Sequence, residues 1–270
     1  MVIVDTKALL AQYMRHKGEP SAQLKYIIQP ICAYFDDADP LVLQWHLQSF
    51  GLFQENELND HHIEQLITSN MWYEIETAFT VLQNEWQGPE VALFILPSDC
   101  SNQQLMDAFH GVSGLSYADK LFLFIHKDSS HQQIQALLTH EYSHVYRLNH
   151  LYKHTDQLTL GDSIILEGIA EKIVRLSFDE DSVYNTALKY SDDQLSTAKS
   201  LWEHVVKKNL NLPKHHPFHD RMMYGDQEIP HLTGYLVGYA LVNRWCQLHQ
   251  PTIIDLLQIS ANQILTENIL

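Results

Sequence analysis

Between Ser130 and Leu148 the apolar residues Ile134, Leu137, Leu138, Val145 and Leu148 recur at helical spacing. Such a stripe predicts one long amphipathic helix with a buried face. Ser130, followed three residues later by Gln133, supplies a capping box for its start. What narrows the choice of fold is the set of polar residues inside the stripe. His140 and His144 stand four apart, so both imidazoles leave one face about a turn from each other. Glu141 lies about 100° round the helix from His140. This is HExxH spacing: two neutral imidazoles can share one zinc ion, and the carboxylate beside them can take a proton from a water held there.

Composition tempers the motif, because 17 of the 270 residues are histidine and chance pairs are correspondingly common. The surrounding texture therefore matters. The first 90 residues carry helical periodicity at Leu9–Tyr13, Tyr26–Phe35, Leu41–Phe50 and Met71–Trp86. Asp39-Pro40 and Asn59-Asp60 are turn or capping signals between them, and Pro30 should kink or shorten the second helix. The texture changes at Pro89. Val91–Leu96 and Leu121–His126 are short apolar runs of strand length and composition. Between them Gly111-Val112-Ser113-Gly114 reads as a loop or bulged strand. From Gln132 the period is helical again, apart from a loop-rich stretch around Asn209–His231. The order predicts an α+β fold, mainly helical, with a small sheet next to the helix that carries the motif. It separates an N-terminal helical region, 1–89, from a region 90–270 that contains the site.

A formal net charge of -16 opposes binding to a phosphate backbone, so no nucleic-acid partner is expected. No stretch approaches the roughly 20 apolar residues that cross a bilayer, and the first residues lack the order of a signal peptide. Cys32, Cys100 and Cys246 are far apart, with no pair at metal-ligand spacing. Three buried thiols in a reducing cytosol, with neither a disulfide nor a cysteine-based metal site, is the simplest expectation.

Zinc needs a third protein ligand, with water in the fourth position. His150 would give HExxHxxRxxH, near the metzincin pattern. That pattern uses glycine to end the helix sharply, and Arg147 stands in its place, where it would rather continue the helix. Glu167 is the favoured candidate. It lies in a second amphipathic helix, Leu160–Val174, with Glu171 one turn further along the same face. Two carboxylates so placed repel unless positive charge sits beside them. A metal with its two imidazoles supplies it, with Glu167 on the ion and Glu171 accepting a hydrogen bond from a ligating histidine. The plainer alternative is an exposed glutamate pair answered by Lys172 and Arg175.

His140-Glu141-Tyr142-Ser143-His144-Val145-Tyr146-Arg147-Leu148, followed by Leu166-Glu167-Gly168-Ile169-Ala170-Glu171, resembles the YjaZ-like family of predicted zinc-dependent proteases. Gly111–Gly114 and Ile229–Tyr239 fit the same resemblance, which covers roughly residues 90–245. It implies a zincin-like fold and a gluzincin-type site, with His140, His144 and Glu167 as ligands and Glu141 as base. A peptidase also needs a donor for the oxyanion, and Tyr235 and His231 are the candidates in the family-like segment. A helix-packing role for Tyr235 and a solvated loop for His231 are the alternatives.

The strand Leu121–His126 is either core or an edge on which an extended peptide pairs. In Lys214–Asp220, Pro217 opposes a regular helix, so His215 and His219 are expected on a surface loop. Asp179-Glu180-Asp181 reads as a solvated turn. The sequence thus predicts a cytoplasmic metallopeptidase with one Zn2+ per chain, acting on a peptide or protein. The competing readings are a zinc amidohydrolase for a non-peptide amide, and a helical binding or stress protein with a structural or vestigial metal. Neither cleavage preference nor oligomeric state leaves a signal.

Overall fold

Side-chain caps delimit most of the helices. The computed structural model describes residues 2–152, 157–178 and 191–267. The chain begins with β1 (Val2–Ile3) and α1 (Thr6–His16), which Asp5 caps by accepting from the Ala8 amide. A π-helical turn, Leu24–Ile28, runs straight into the short α2 (Gln29–Cys32), and Pro30 sits at that junction. The helical backbone passes through Pro30, whose missing N–H falls where the wider π turn gives way to α2. Asp39 caps α3 (Pro40–Ser49) by accepting from Leu41 and Val42.

The expected turn at Asn59-Asp60 is instead the first part of α4 (Glu57–Thr68), whose cap is Asn56. Its few apolar residues hid this helix in the sequence. α5 (Met71–Trp86) follows and ends on Gln87 in a left-handed conformation.

The sheet has four strands in the order β1-β2-β4-β3, with β2 (Ala92–Pro97), β3 (Ser113–Ser116) and β4 (Lys120–Ile125). β1, β2 and β4 are parallel; β3 runs antiparallel to β4 with Gly114 opposite Leu123. Between β2 and β3 lies α6 (Gln103–Phe109). β4 is therefore an interior strand, paired on both sides, and the suggestion that a peptide could pair on it is overturned. Among the described residues the edge strands are β1 and β3. Phe94, Leu96, Phe122 and Phe124 point into one apolar cluster with α1, α2 and α3. The alternate residues Leu93, Ile95, Leu121, Leu123 and Ile125 are equally buried, which explains runs that are apolar at every position.

The remaining α-helices among the described residues are α7 (His131–Leu151), α8 (Leu160–Ser177), α9 (Asp192–Leu201), α10 (Pro217–Tyr224), α11 (Thr233–His249), α12 (Ile253–Gln258) and α13 (Ala261–Thr266). The whole is α+β and mainly helical. The chain divides into two compact units, and the division falls within α7, between Glu141 and Tyr142. In the second unit α8 and α11 make the closest contact. A β-carbon on Gly168 would collide with the Gly238 backbone, and one on Gly238 would strike the Ile164 carbonyl. Lys172 on α8 also donates to Asn243 on α11, 2.9 Å away.

Pro217 opens α10 at its first turn, where a missing N–H costs nothing, instead of keeping the segment in a loop. His219 is consequently buried, its Nε2 2.9 Å from Ser163 Oγ, and is no surface residue. The three thiols are free and only partly buried. Among the described residues no helix is long and apolar enough to cross a membrane. Asp179-Glu180-Asp181 lies outside the described residues.

Candidate metal centre

Helix α7 starts as its sequence requires: Gln133 N–H donates to Ser130 Oγ at 3.2 Å, and Ser130 N–H donates to Gln133 Oε1 at 2.8 Å. His140 and His144 are both buried on it, one turn apart. α8 is started by a second capping box, Thr159 with Asp162, and carries Glu167 at mid-length. The ligand atoms of His140, His144 and Glu167 all lie within 4.8 Å of one another. His144 Nε2 is 3.4 Å from Glu167 Oε2. Two ligands of one tetrahedral zinc, each about 2.0–2.1 Å from it, stand about 3.3–3.4 Å apart. The donor set of two imidazoles and a carboxylate and its spacing therefore fit zinc. Glu171, one turn beyond Glu167, is 1% exposed and so is no solvated surface carboxylate.

His150 takes no part in this group. It is exposed, its Nδ1 donates to the Tyr146 carbonyl at 2.9 Å, and its ring stacks on Tyr146 at 4.2 Å between centroids. The helix runs straight past Arg147, as an arginine in place of glycine requires. Arg147 is fully buried. Its Nη1 lies 2.8 Å, 3.2 Å and 2.8 Å from the carbonyl oxygens of Leu256, Leu257 and Ile259, at the C-terminal end of α12. Those carbonyls have no partner within their helix, and a cation is favoured there. Burial pulls the guanidinium pKa below its ordinary value.

Glu141, about 100° round the helix from His140, packs against β3. Ser116 Oγ lies 2.6 Å from Glu141 Oε2 and 2.9 Å from the Glu141 carbonyl, and donates its single proton to one of them at a time. Gly114, two residues earlier on the same face of the strand, leaves room for the carboxylate. A β-carbon there would collide with Glu141 Cγ, Cδ and Oε1. Ser116 escaped the sequence reading. The signal available was alternation of small residues, Gly114 and Ser116, on one face of a strand.

His231 and Tyr235 do not share a helical face, because α11 begins only at Thr233, after Leu232 in a left-handed conformation. His231 is exposed, and its Nδ1 donates to the Tyr224 carbonyl at 3.1 Å. Tyr235 is half-buried with its ring 6.0 Å from that of Tyr224. His231 is not in the group formed by His140, His144 and Glu167.

The family model described as "Predicted Zn-dependent protease (DUF2268)" matches residues 71–266. The chain is 31% identical over 253 residues to the uncharacterized protein YjaZ of Bacillus subtilis (strain 168), covering 94% of this chain and 95% of that one. It is 21% identical over 184 residues to the uncharacterized protein YjfC of the same organism, covering 66% of this chain and 61% of that protein. No solved structure matches the chain.

Proposed function

The chain belongs to the family of predicted zinc-dependent proteases, and on that premise we propose that it hydrolyses peptide bonds with a single zinc ion held by His140, His144 and Glu167. The observation that carries this reading is the 3.4 Å approach of His144 Nε2 to Glu167 Oε2, with His140 in the same group. Zinc, when bound, supplies a Lewis acid for the scissile carbonyl and makes water acidic enough to attack near neutral pH.

The protein's own groups do the rest. Glu141 takes the proton of the attacking water and passes it to the leaving amine. Ser116 holds Oε2, which leaves Oε1 for that transfer. Glu171, buried one turn from Glu167, orients a ligating histidine by accepting its outer N–H. The substrate is an extended peptide that adds itself to the outer edge of β3, which has no strand partner among the described residues. Tyr235 and His231 are the proposed oxyanion donors, for which substrate binding must bring them to the carbonyl. The protein acts in the cytoplasm, where free Cys32, Cys100 and Cys246 stay reduced.

The test is the zinc content of chelator-washed protein, together with cleavage of a mixed peptide library. His140→Ala and Glu167→Gln should each lose one zinc equivalent per chain, and His150→Ala none. Glu141→Gln should keep the metal and lose at least about a hundredfold in turnover. Unchanged zinc in all the variants, or full cleavage by Glu141→Gln, would overturn the proposal.

A further inference from the structure

The first unit contains a second convergence of metal-capable side chains. His62 on α4, Cys100 in the loop after β2, and His126 just beyond β4 place their ligand atoms within 4.8 Å of one another. His62 is 1% exposed, and neither of its ring nitrogens makes a hydrogen bond of good geometry, the Ile125 backbone offering only a weak one. Buried polar atoms are almost always satisfied, so a buried imidazole without one well-formed hydrogen bond calls for an explanation. The buried His219 shows the contrast: each of its nitrogens faces a partner, Ser163 or Asp220.

The segments that carry the three residues are held in place largely by other groups; of the three side chains, His126 Nδ1 accepts from the Asp128 N–H at 3.3 Å, a bond that must yield when the ring binds an ion and takes the matching tautomer. Asn59, one turn before His62 on α4, accepts the Cys100 N–H at 2.8 Å and donates to Asp99 Oδ1 at 2.8 Å. Asp99 in turn accepts from Ser101 N–H at 3.0 Å, fixing the loop around the thiol. Ser98 N–H donates to the Ile125 carbonyl at 3.0 Å and ties that loop to the end of β4, one residue before His126. The rings of His62 and His126 lie 4.8 Å apart and nearly parallel. The Asp128 carboxylate, 3.9 Å from His126 Nδ1, adds negative charge at the rim.

We propose that His62, Cys100 and His126 bind a second zinc ion, which joins α4 to the ends of β2 and β4. One thiolate and two imidazoles form a soft-to-borderline donor set that suits zinc and cobalt and disfavours calcium or magnesium. Binding draws the ligand atoms together to the about 3.3–3.6 Å that bonds of about 2.0–2.3 Å require. The Cys100 thiol proton leaves to solvent as the thiolate bonds to the ion. The fourth position is left to water. The family match begins at residue 71 and so does not include His62. The inference is independent of the peptidase proposal, because it shares no ligand with it.

Cobalt titration of metal-free protein reads the two sites separately. Only a cysteine ligand gives a thiolate-to-cobalt charge-transfer band in the near ultraviolet, and His140, His144 and Glu167 contain no sulfur. The band is expected in the wild type and in Glu167→Gln, Cys32→Ser and Cys246→Ser, and should be abolished by Zn2+. It should vanish in Cys100→Ser, and its midpoint should move at least tenfold upward in His126→Gln, each checked for native circular dichroism. If Cys100→Ser does not fold, the His126→Gln midpoint decides. Absence of the band at saturating cobalt, its survival in Cys100→Ser, or an unmoved midpoint in His126→Gln would overturn the proposal.

Discussion

Glu141 occupies the space that a β-carbon on Gly114 would fill, so the carboxylate on α7 and the missing side chain on β3 are two halves of one fit. Ser116, on the same strand face, then holds one carboxylate oxygen at 2.6 Å. The position of the proposed base is therefore set by the edge strand as well as by its own helix.

Gly114→Ala should displace Glu141 without disturbing the metal. A misplacement of about 1 Å is enough to lower kcat roughly a hundredfold. Zinc content should match the wild type, because His140, His144 and Glu167 are untouched. Ser116→Ala should act in the same direction and more weakly. An unchanged kcat for Gly114→Ala, measured on a peptide that the wild type cleaves, would show that Glu141 is not held in this way.

Gly238→Ala tests how Glu167 is supported. The added methyl meets the Ile164 carbonyl on α8, and Gly168, the residue after Glu167, packs against Gly238 itself. Separating the helices should cost about 1–3 kcal/mol in urea unfolding. It should also weaken zinc binding by tenfold or more in competition with a chromophoric chelator. Wild-type affinity in a folded Gly238→Ala protein would mean that α8 is positioned by other contacts.

Arg147→Met should be among the most destabilising single changes in the second unit. It strands the carbonyls of Leu256, Leu257 and Ile259, and each buried group left without a partner costs about 1–3 kcal/mol. A loss of about 3 kcal/mol or more is expected from denaturant titration. Arg147→Lys should recover only part of it, since the lysine ammonium has donors for these carbonyls but is more strongly hydrated and so costs more to bury. A loss within about 0.5 kcal/mol would contradict the burial argument.

His219 should make the protein less stable in mild acid. Burial holds its pKa below the ordinary 6.5, while Asp220 pulls it upward and Lys214 pushes it down. The folded state therefore holds the proton less tightly than the unfolded chain. The stabilising contribution is fully present above about pH 6.5 and is lost as pH falls through the lowered folded value. The slope from this one group is at most about 1.4 kcal/mol per pH unit. Urea midpoints measured from pH 7.5 down to pH 5 should fall less steeply in His219→Gln than in the wild type. Parallel curves would show that His219 does not titrate differently on folding.

What could be read from the sequence was whatever repeats within a few residues. A helix brings together positions three and four apart, so the stripe of α7, its Ser130–Gln133 cap, the shared face of His140 and His144, and the pair Glu167 and Glu171 were all visible locally. Arg147 in place of glycine predicted a helix that continues past His150, as it does. Sparse periodicity concealed α4. Pro217 was read as a breaker when it was a starter, because the same missing N–H fits both.

Tertiary structure alone decided the remainder. Strand order rests on hydrogen bonds between segments far apart in the chain, so no local window could tell that β4 is interior and β3 an edge. The partners of buried polar groups are chosen the same way: Ser116 for Glu141, the end of α12 for Arg147, Ser163 for His219. Cys100 had no ligand at a recognisable spacing, because His62 and His126 reach it through the packing of α4 and the pairing of β2 with β4. Local sequence determined which side chains each helix would present on one face. The long-range contacts of the fold determined what those side chains would meet.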